Sequence, residues 1–492
     1  MEDDLIGADA GVGAGAVRGG DQSMRGLIEA LACRGELVDI DRPVDPRFEL
    51  GGVLALLDRG PAVRFTNITG SALPVVGNVL TDRERIAAAL RVPKSGILDA
   101  LSTAIASRQP TEKVTVAPCQ ELRFPAADVW REVVTPTFFE KDSGGYITAG
   151  MIVAHDPVTG HRNASYARIK PLQQTTGFVG IAPNHHLSAL ARSAATAGRG
   201  LPVAVTLGSH PAIQLAACFY LGLGDDELEH AGHLLGEPVR VVRATTSDVL
   251  VPADAEVVIE GVLRIDRPVH EGLVSEYHGM YEDYGDGCTL EVTAVTRRAD
   301  ASIQVILPGL AAEHSFLGAL PIAAGLRHAL RGFGCQTTDL AVTLSGGGRV
   351  DVVVALPPEQ RKQAKRAILG CFAAVSMIKQ VTVVDSDVDV WDAEHVQWAR
   401  TSRMRWERDL VLVPAVPCDR NVPMQQDGTV TKVGMDATVK PGDRAAGNEL
   451  AVPPRETTNL VHGWLTSDGL GGKVRPTPTL WGTLHGAHEG DR

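Results

Sequence analysis

Apolar and polar positions alternate along this chain in two rhythms, one of helical and one of strand period. Between Ser23 and about residue 112, the spacing of Leu27, Ile28, Leu31 and Ala32 predicts a helix, and Leu37-Val38-Asp39-Ile40 predicts a strand. Short strands follow near Ala62 to Ile68 and Leu73 to Val79, then helical patterns at 82–92 and 97–107. Residues 23–112 therefore read as a small N-terminal α/β domain.

From about 113 to 304 the pattern shifts to short apolar strands separated by Gly, Pro and Asp turns. They fall at 147–154, 165–169, 203–207, 239–242, 256–265 and 290–296, a spacing that suggests a sheet or barrel. Helical stretches interrupt them at about 185–198 and 225–235. The second opens with Asp225-Asp226-Glu227, acids placed where the positive end of the helix dipole favours them.

Residues 305–440 return to an alternating rhythm: helix 316–331, strands near Leu340 and 352–355, helix 358–374 and strand 381–384. This reads as a C-terminal α/β domain suited to oligomerisation. The ends differ in character. Residues 1–22 are rich in Gly, Ala and Asp and carry too little apolar surface to offset ordering entropy, so they read as a disordered extension. Residues 441–492 read as a Gly- and Pro-rich tail wrapping over the surface or a partner subunit.

A length of 492 residues exceeds what one core organises, which agrees with several domains. The formal charge of −12 argues against a nucleic-acid partner, because that affinity rests on clustered Lys and Arg. The seven cysteines stand singly with no CxxC pair, which suits a reducing cytoplasm better than a disulfide framework. No apolar run reaches the ~18 residues of a membrane span.

Four segments carry candidate chemistry. Glu271-Gly-Leu-Val-Ser-Glu276-Tyr-His278-Gly279 sets two carboxylates and an imidazole in a loop-like stretch, and carboxylates in different environments can divide the work of proton donor and charge partner. Taken alone, acids in a loop are more often simply solvated. Asn163-Ala-Ser165-Tyr-Ala-Arg168 reads as a strand whose Arg needs a counter-charge, either a substrate carboxylate or a structural ion pair. His185-His186 and Asp226-Glu227 stand at helix starts, where a cap or surface role competes with metal ligation by hard N and O donors. Ser345-Gly-Gly-Gly348 lacks the Lys-Ser/Thr of a phosphate loop and reads as a hairpin turn.

Read in order, these elements resemble the UbiD family of reversible (de)carboxylases. The resemblance runs from about residue 24 to about 440 through Asn163…Arg168, Pro183-Asn-His-His186, Asp226-Glu227…Gly236-Glu-Pro, Val251-Pro-Ala-Asp-Ala-Glu-Val-Val-Ile-Glu260-Gly, Glu271…Glu276-Tyr-His-Gly and Thr431-Lys432…Asp436-Ala-Thr438. It implies an α/β (α+β) fold in which a central split β-barrel flavin-binding domain lies between the N-terminal and C-terminal α/β domains. The implied cofactor is prenylated FMN, supplied by a flavin prenyltransferase and acting as electron sink for decarboxylation of an unsaturated or aromatic acid.

By the same resemblance Asn163, His186 and Glu227 are similar to ligands for Mn2+ (or Mg2+), which with K+ joins the cofactor phosphate to the protein. Thr148, Asn163, Ser165, Arg168, His185, His186, Glu227 and Lys432 fall at cofactor-contacting positions. Arg168, Glu271 and Glu276 resemble a catalytic Glu-Arg-Glu network, with Arg168 orienting the carboxylate, Glu271 holding Arg168 and Glu276 donating the proton. A donor carboxyl and an apolar product, CO2, both call for an enclosed site, expected between the central and C-terminal domains. A homodimer or homohexamer is implied. Two departures, His185 and the stretch Cys218-Phe-Tyr-Leu-Gly-Leu-Gly224, point to a reshaped substrate pocket. Alternative readings are a split-barrel FMN oxidoreductase and a non-catalytic subunit with a structural flavin and metal site.

Overall fold

In the computed structural model the described residues are 20, 22–440 and 454–469. The expected disordered extension, apart from residues 20 and 22, lies outside them, as do 441–453 and 470–492 of the expected tail. Within that tail the described part forms a helix, Arg455–Ser467.

The N-terminal region builds a four-stranded sheet from Leu37–Ile40, Ala62–Phe65, Val75–Gly77 and Ile303–Gln304. Its last strand arrives from far along the chain and pairs parallel to Val75–Gly77. Helix Arg25–Cys33 packs on its first strand and on helix Arg83–Leu90, which in turn packs on helix Ile97–Ile105; helix 83–90 is capped by Asp82, whose carboxylate accepts from the Arg85 amide.

The central region is an antiparallel ladder ordered Arg162–Tyr166, Met151–His155, Leu201–Leu207, Val257–His270, Asp286–Arg297, Thr176–Val179 and Ile169–Gln173, with Leu122–Pro125 joining on the 286–297 strand. The sequence pattern predicts one strand over 165–169; the structure breaks it into two that pair with different neighbours. Those two strands are the opposite ends of the ladder, yet only Ala167 and Arg168 join them. Three Cα steps span at most ~11 Å, so the sheet must curl until its ends nearly meet. Register shifts at Glu260/Gly261 and between Arg264 and Val269 supply local bending. Across the seam Ile147 and Ile169 exchange backbone hydrogen bonds of 2.8 and 3.2 Å.

The C-terminal sheet runs Asp339–Val342, Asp351–Leu356, Gln380–Asp385, Thr429–Asp436 and Leu410–Pro417. Alternate residues feed separate cores: Val352 and Val354 join the main one, while Val353 and Ala355 pack beneath helix Ala393–Arg403. A sheet covered on both faces explains its near-continuous Val runs.

Helix Ala312–Gly332 ties the regions together, packing on helices 97–105, Pro211–Ala216 and Ala364–Ala374 and on strand 339–342. Its Glu313 is buried and accepts from the Leu80 amide at 3.2 Å and from Gln304 at 3.4 Å, linking helix to N-terminal sheet. Burial pushes the Glu313 carboxyl up to about 7, against the pull of those hydrogen bonds. No helix among the described residues is long and apolar enough to cross a membrane.

Candidate active site

Arg168 stands in the two-residue link at the seam of the central ladder. Glu271 directly follows the long strand 257–270, and Glu276 directly follows the short strand Val274–Ser275, which pairs with Tyr281–Glu282. The loop-like stretch of the sequence reading is thus partly a small hairpin.

These three side chains converge. Arg168 Nε and Nη2 donate to the two Glu271 carboxylate oxygens at 2.5 and 2.6 Å, and Nη1 donates to Glu276 Oε1 at 3.3 Å. Glu271 is only 2% exposed. Burial works against the Arg168 charge, but the hydrogen bonds and field of Glu271 outweigh it and hold the guanidinium well above its ordinary range.

The main chain of Glu271 is braced as firmly as its side chain. Lys170 Nζ and Ser143 Oγ both donate to the Glu271 carbonyl, the latter at 2.6 Å; Lys170 also donates to Ser143 Oγ at 2.9 Å. Tyr146 lies 2.9 Å from the same Ser143 oxygen. Burial lowers the Lys170 pKa. Asp142 accepts from the Ser275 amide at 2.8 Å and so anchors the strand that carries Glu276.

A cavity of about 260 Å³ opens beside this cluster, walled by the central ladder on one side and by helix 312–332 and the 418–428 loop on the other. Its position between central and C-terminal regions agrees with expectation. Of the expected residues, Arg168, Glu276, Thr148 and His185 line it. Tyr284 stands between two guanidiniums, Arg168 at 5.4 Å and Arg420 at 4.6 Å from its ring centroid. Arg420 comes from the C-terminal side and reaches the Ile181 carbonyl at 3.4 Å. Burial, then the nearby Arg168 charge, lower its pKa. Neighbouring contacts fasten the same loop across the cavity: Asn184 donates to Asp419 at 2.7 Å, and the Tyr277 hydroxyl donates to the Asn421 carbonyl at 3.0 Å.

The proposed metal ligands come together only in part. Asn163 Nδ2 and the Ala164 amide donate to Glu227 at 2.9 and 2.7 Å, and Ser165 Oγ donates to Asn163 Oδ1 at 2.9 Å, so Asn163 and Ser165 share a strand face. Glu227 begins helix Glu227–Leu235, whose N-cap Asp226 accepts from the Leu228 amide. It is 3% exposed, and burial pushes its carboxyl up to about 8. His186 opens helix His186–Thr196 and lies in the field of Asp225; burial lowers its pKa. Among the described residues no three His, Cys, Asp or Glu side chains converge as a metal-holding group.

Lys432 does not line the cavity. It sits fully buried in the C-terminal sheet, and its Nζ donates to the carbonyls of Ser376 at 3.0 Å and Phe372 at 3.3 Å. Those carbonyls lie at the end of helix 364–374, the negative pole that attracts a cation. His278 also turns away, towards Glu282 at 3.5 Å.

Sequence reasoning passes over Tyr284, Arg349, Arg420 and His314, all of which line the cavity. Two of them follow short signals, Arg349 after the Gly346–Gly348 run and His314 one residue beyond a buried Glu. Neither signal names a site without the fold.

Comparison with known proteins agrees with this architecture. The chain matches the 3-octaprenyl-4-hydroxybenzoate carboxy-lyase N-terminal domain over residues 28–105, the Rift-related domain over 112–311 and the C-terminal domain over 315–437. It is 32% identical over 417 residues to the anhydromevalonate phosphate decarboxylase of Methanosarcina mazei, covering 84% of this chain and 95% of that protein. Its fold is similar to the UbiD-class enzyme HmfF from Pelotomaculum thermopropionicum in complex with FMN, at TM-score 0.84 and 33% identity over 89% of this chain and 98% of that one. Klebsiella pneumoniae 3,4-dihydroxybenzoic acid decarboxylase is similar at TM-score 0.81 and 27% identity over 89% and 99%. Three domain models matched in order, with a relative above 30% identity along most of the chain, show that this protein belongs to the UbiD family and is a carboxy-lyase.

Proposed function

We propose that this carboxy-lyase removes CO2, reversibly and without net oxidation, from an α,β-unsaturated or (hetero)aromatic carboxylic acid, with prenylated FMN bound in the cavity. The observation that carries the reading is the Arg168 guanidinium clasped by Glu271 and touched by Glu276 at a cavity wall. HmfF holds FMN and its evolved dimeric form holds prFMN, which supports a flavin here.

The chain's own residues fit such a ligand. The Tyr284 hydroxyl and Asn421 Oδ1 are buried at the cavity without a hydrogen-bond partner among the described residues, and an unsatisfied buried polar atom is costly unless a ligand completes it. Thr148 and His185 line the same space. Glu227, buried with amide partners and with no cation paired to it among the described residues, suits a hard divalent ion such as Mn2+ (or Mg2+) shared with Asn163 and His186, with K+ nearby, holding a cofactor phosphate. When bound, the flavin supplies the electron sink for the C–C bond that breaks.

Arg168 has five N–H donors, and the two glutamates engage three; the others remain for the substrate carboxylate. Arg168 and Arg420 bring two positive charges and the two glutamates two negative ones. An added substrate carboxylate leaves the cluster at −1 unless one carboxyl holds a proton. Glu276, held by two long contacts, from Arg168 Nη1 and from the Tyr277 amide at 3.3 Å, is the acid freer to carry that proton and deliver it to the carbon that loses CO2. Glu271, bound along both edges, positions Arg168.

We extend the reading to architecture and context. The curled ladder, with its ends joined through Ala167-Arg168 and bridged by Ile147 and Ile169, supports a split barrel. The evolved dimeric form of HmfF supports a homo-oligomer, and seven unpaired cysteines support a reducing cytoplasm. The test is CO2 release from a panel of unsaturated and aromatic acids, without NAD(P)H, by protein coexpressed with a flavin prenyltransferase. Release from at least one acid is expected. An ordinary FMN spectrum with NAD(P)H turnover and no CO2 would overturn the reading.

A further inference from the structure

Arg168 and Lys170 stand two positions apart at the seam and grip opposite ends of one residue. Arg168 takes the Glu271 carboxylate at 2.5 and 2.6 Å, and Lys170 Nζ takes the Glu271 carbonyl. The second grip is made from outside the cavity. Lys170 lies on strand 169–173, is 9% exposed and does not line the cavity, whereas Arg168 does. Its ammonium also donates to Ser143 Oγ at 2.9 Å, and Ser143, exposed at the surface, donates to the same Glu271 carbonyl at 2.6 Å.

Two glycines make room for this arrangement. A Cβ on Gly144 would fall 3.0 Å from Lys170 Cδ, and Gly272, at φ +83°, would carry one 3.0 Å from Ser143 Cβ. The Ser143 amide donates to the Leu273 carbonyl at 2.8 Å, so the turn at 143–144 is seated both on the lysine stem and on the segment that follows Glu271. The ammonium stands between the rings of Phe178 and Tyr146, 5.7 and 6.0 Å from their centroids, and no carboxylate forms an ion pair with it among the described residues. A mostly buried cation of this kind costs stability that an apolar side chain would not. In return it gives the Glu271 carbonyl a charge-assisted hydrogen bond, stronger than a neutral donor would make.

We propose that Lys170 is a positioning residue for the decarboxylation: from outside the cavity it pins the Glu271 main chain and so fixes the place and angle of the Arg168 guanidinium. This rests on the reading of Arg168 as the group that orients the departing carboxylate. Burial lowers the Lys170 pKa, Glu271 opposes that shift and Arg168 adds to it; the turn at 143–146 offers Ser143 and Tyr146, and strand 176–179 offers the Phe178 ring. As pH rises, the charge is therefore lost below the ordinary lysine value of 10.5, and the brace weakens with it.

The test uses the flavin-loaded enzyme and whichever of sorbate, cinnamate and 3,4-dihydroxybenzoate it turns over fastest. Lys170→Met should lower kcat about 10- to 100-fold, the cost of a small misplacement of a positioned group. Flavin content should not change, and the unfolding midpoint should stay within about 2 °C of the parent's or rise. Lys170→Gln, which keeps a donor without the charge, should recover part of the loss near neutral pH and lack the alkaline fall in kcat that the parent shows. In a Glu271→Gln background, Lys170→Met should change kcat by less than about twofold, because the lysine acts only through that glutamate. Amide hydrogen exchange at 271–276 should quicken several-fold in Lys170→Met, which reads the brace without turnover. A kcat equal to the parent's, a loss that is undiminished in the Glu271→Gln background, or loss of flavin overturns the proposal. Quickened exchange with no CO2 from any of the three acids counts against the decarboxylase reading and not against the brace, whereas CO2 release that Lys170→Met leaves untouched sinks this proposal alone.

Discussion

Glu271 meets Arg168 along two edges of the guanidinium, at 2.5 and 2.6 Å, while Glu276 meets it at one nitrogen, at 3.3 Å. The asymmetry separates what the two acids can do. A carboxylate clasped by short bonds on both oxygens is a fixture, and one held by long contacts, here from Arg168 and from the Tyr277 amide at 3.3 Å, can hold or release a proton with little change to its surroundings.

Glu276→Gln keeps the shape of the side chain and its reach to Arg168 but cannot donate the proton. Flavin content and thermal stability should stay near those of the parent, and CO2 release should fall about 10²- to 10⁴-fold, the range a general acid contributes. Turnover equal to the parent would remove Glu276 from the role of acid.

Glu271→Ala leaves a mostly buried Arg168 without its main counter-charge. Breaking such a pair costs about 3–5 kcal/mol, so both the unfolding midpoint and kcat should drop. Arg168→Lys should not restore activity, because one ammonium cannot match the bidentate contact. An active Lys variant of ordinary stability would show that the fork geometry is dispensable.

Lys432 and His186 should part company on mutation. Lys432→Met strips a cation from the Phe372 and Ser376 carbonyls, so stability should fall by about 1–3 kcal/mol with flavin retained. His186→Ala should lose flavin and metal together, measured by absorbance and elemental analysis of the purified protein. The reverse pattern would return Lys432 to the cofactor and take His186 from it.

Glu313 makes stability depend on pH. Its carboxyl rises on folding from an ordinary 4.5 to about 7, so between those values the folded chain binds a proton that the unfolded chain does not. The contribution is complete below about pH 4.5 and is lost as pH climbs through about 7, on the order of 3 kcal/mol in all. Glu313→Gln imitates the protonated form. The difference in unfolding free energy between parent and variant, followed by denaturant titration from about pH 5 to about pH 8, should therefore shift in favour of the variant. A constant difference would mean that Glu313 does not titrate in this range.

The strands at 37–40, 201–207 and 380–385 are legible in the sequence because each is a strongly apolar or alternating run. Strands Leu410–Pro417 and Thr429–Asp436 are not, since the first contains two prolines and sits at a sheet edge, and the second carries Lys432 and Gly434 in its interior. Helix 393–403 hides for another reason: Glu, His, Gln, Arg and Thr leave it little apolar periodicity, and its start is marked by Asp392 accepting from two amides. Of the candidate site, Arg168, Glu271 and Glu276 could be joined in advance only through the family resemblance and not from their spacing, because their contact spans 103 and 108 residues. Arg349 and Arg420 are surface-like arginines in sequence terms. Only the approach of the C-terminal loops to the central ladder makes them cavity residues.

The two-residue link at Ala167-Arg168 has one further implication. Because it alone spans the ends of the curled ladder, the place of the guanidinium depends on chain length as much as on side-chain identity. One added residue would slacken the seam, release the Ile147 and Ile169 pairing and let Arg168 swing away from Glu271. Descendants of this sequence can trade residues around the cavity wall and so change diet, but an insertion at this point ends the lineage's chemistry.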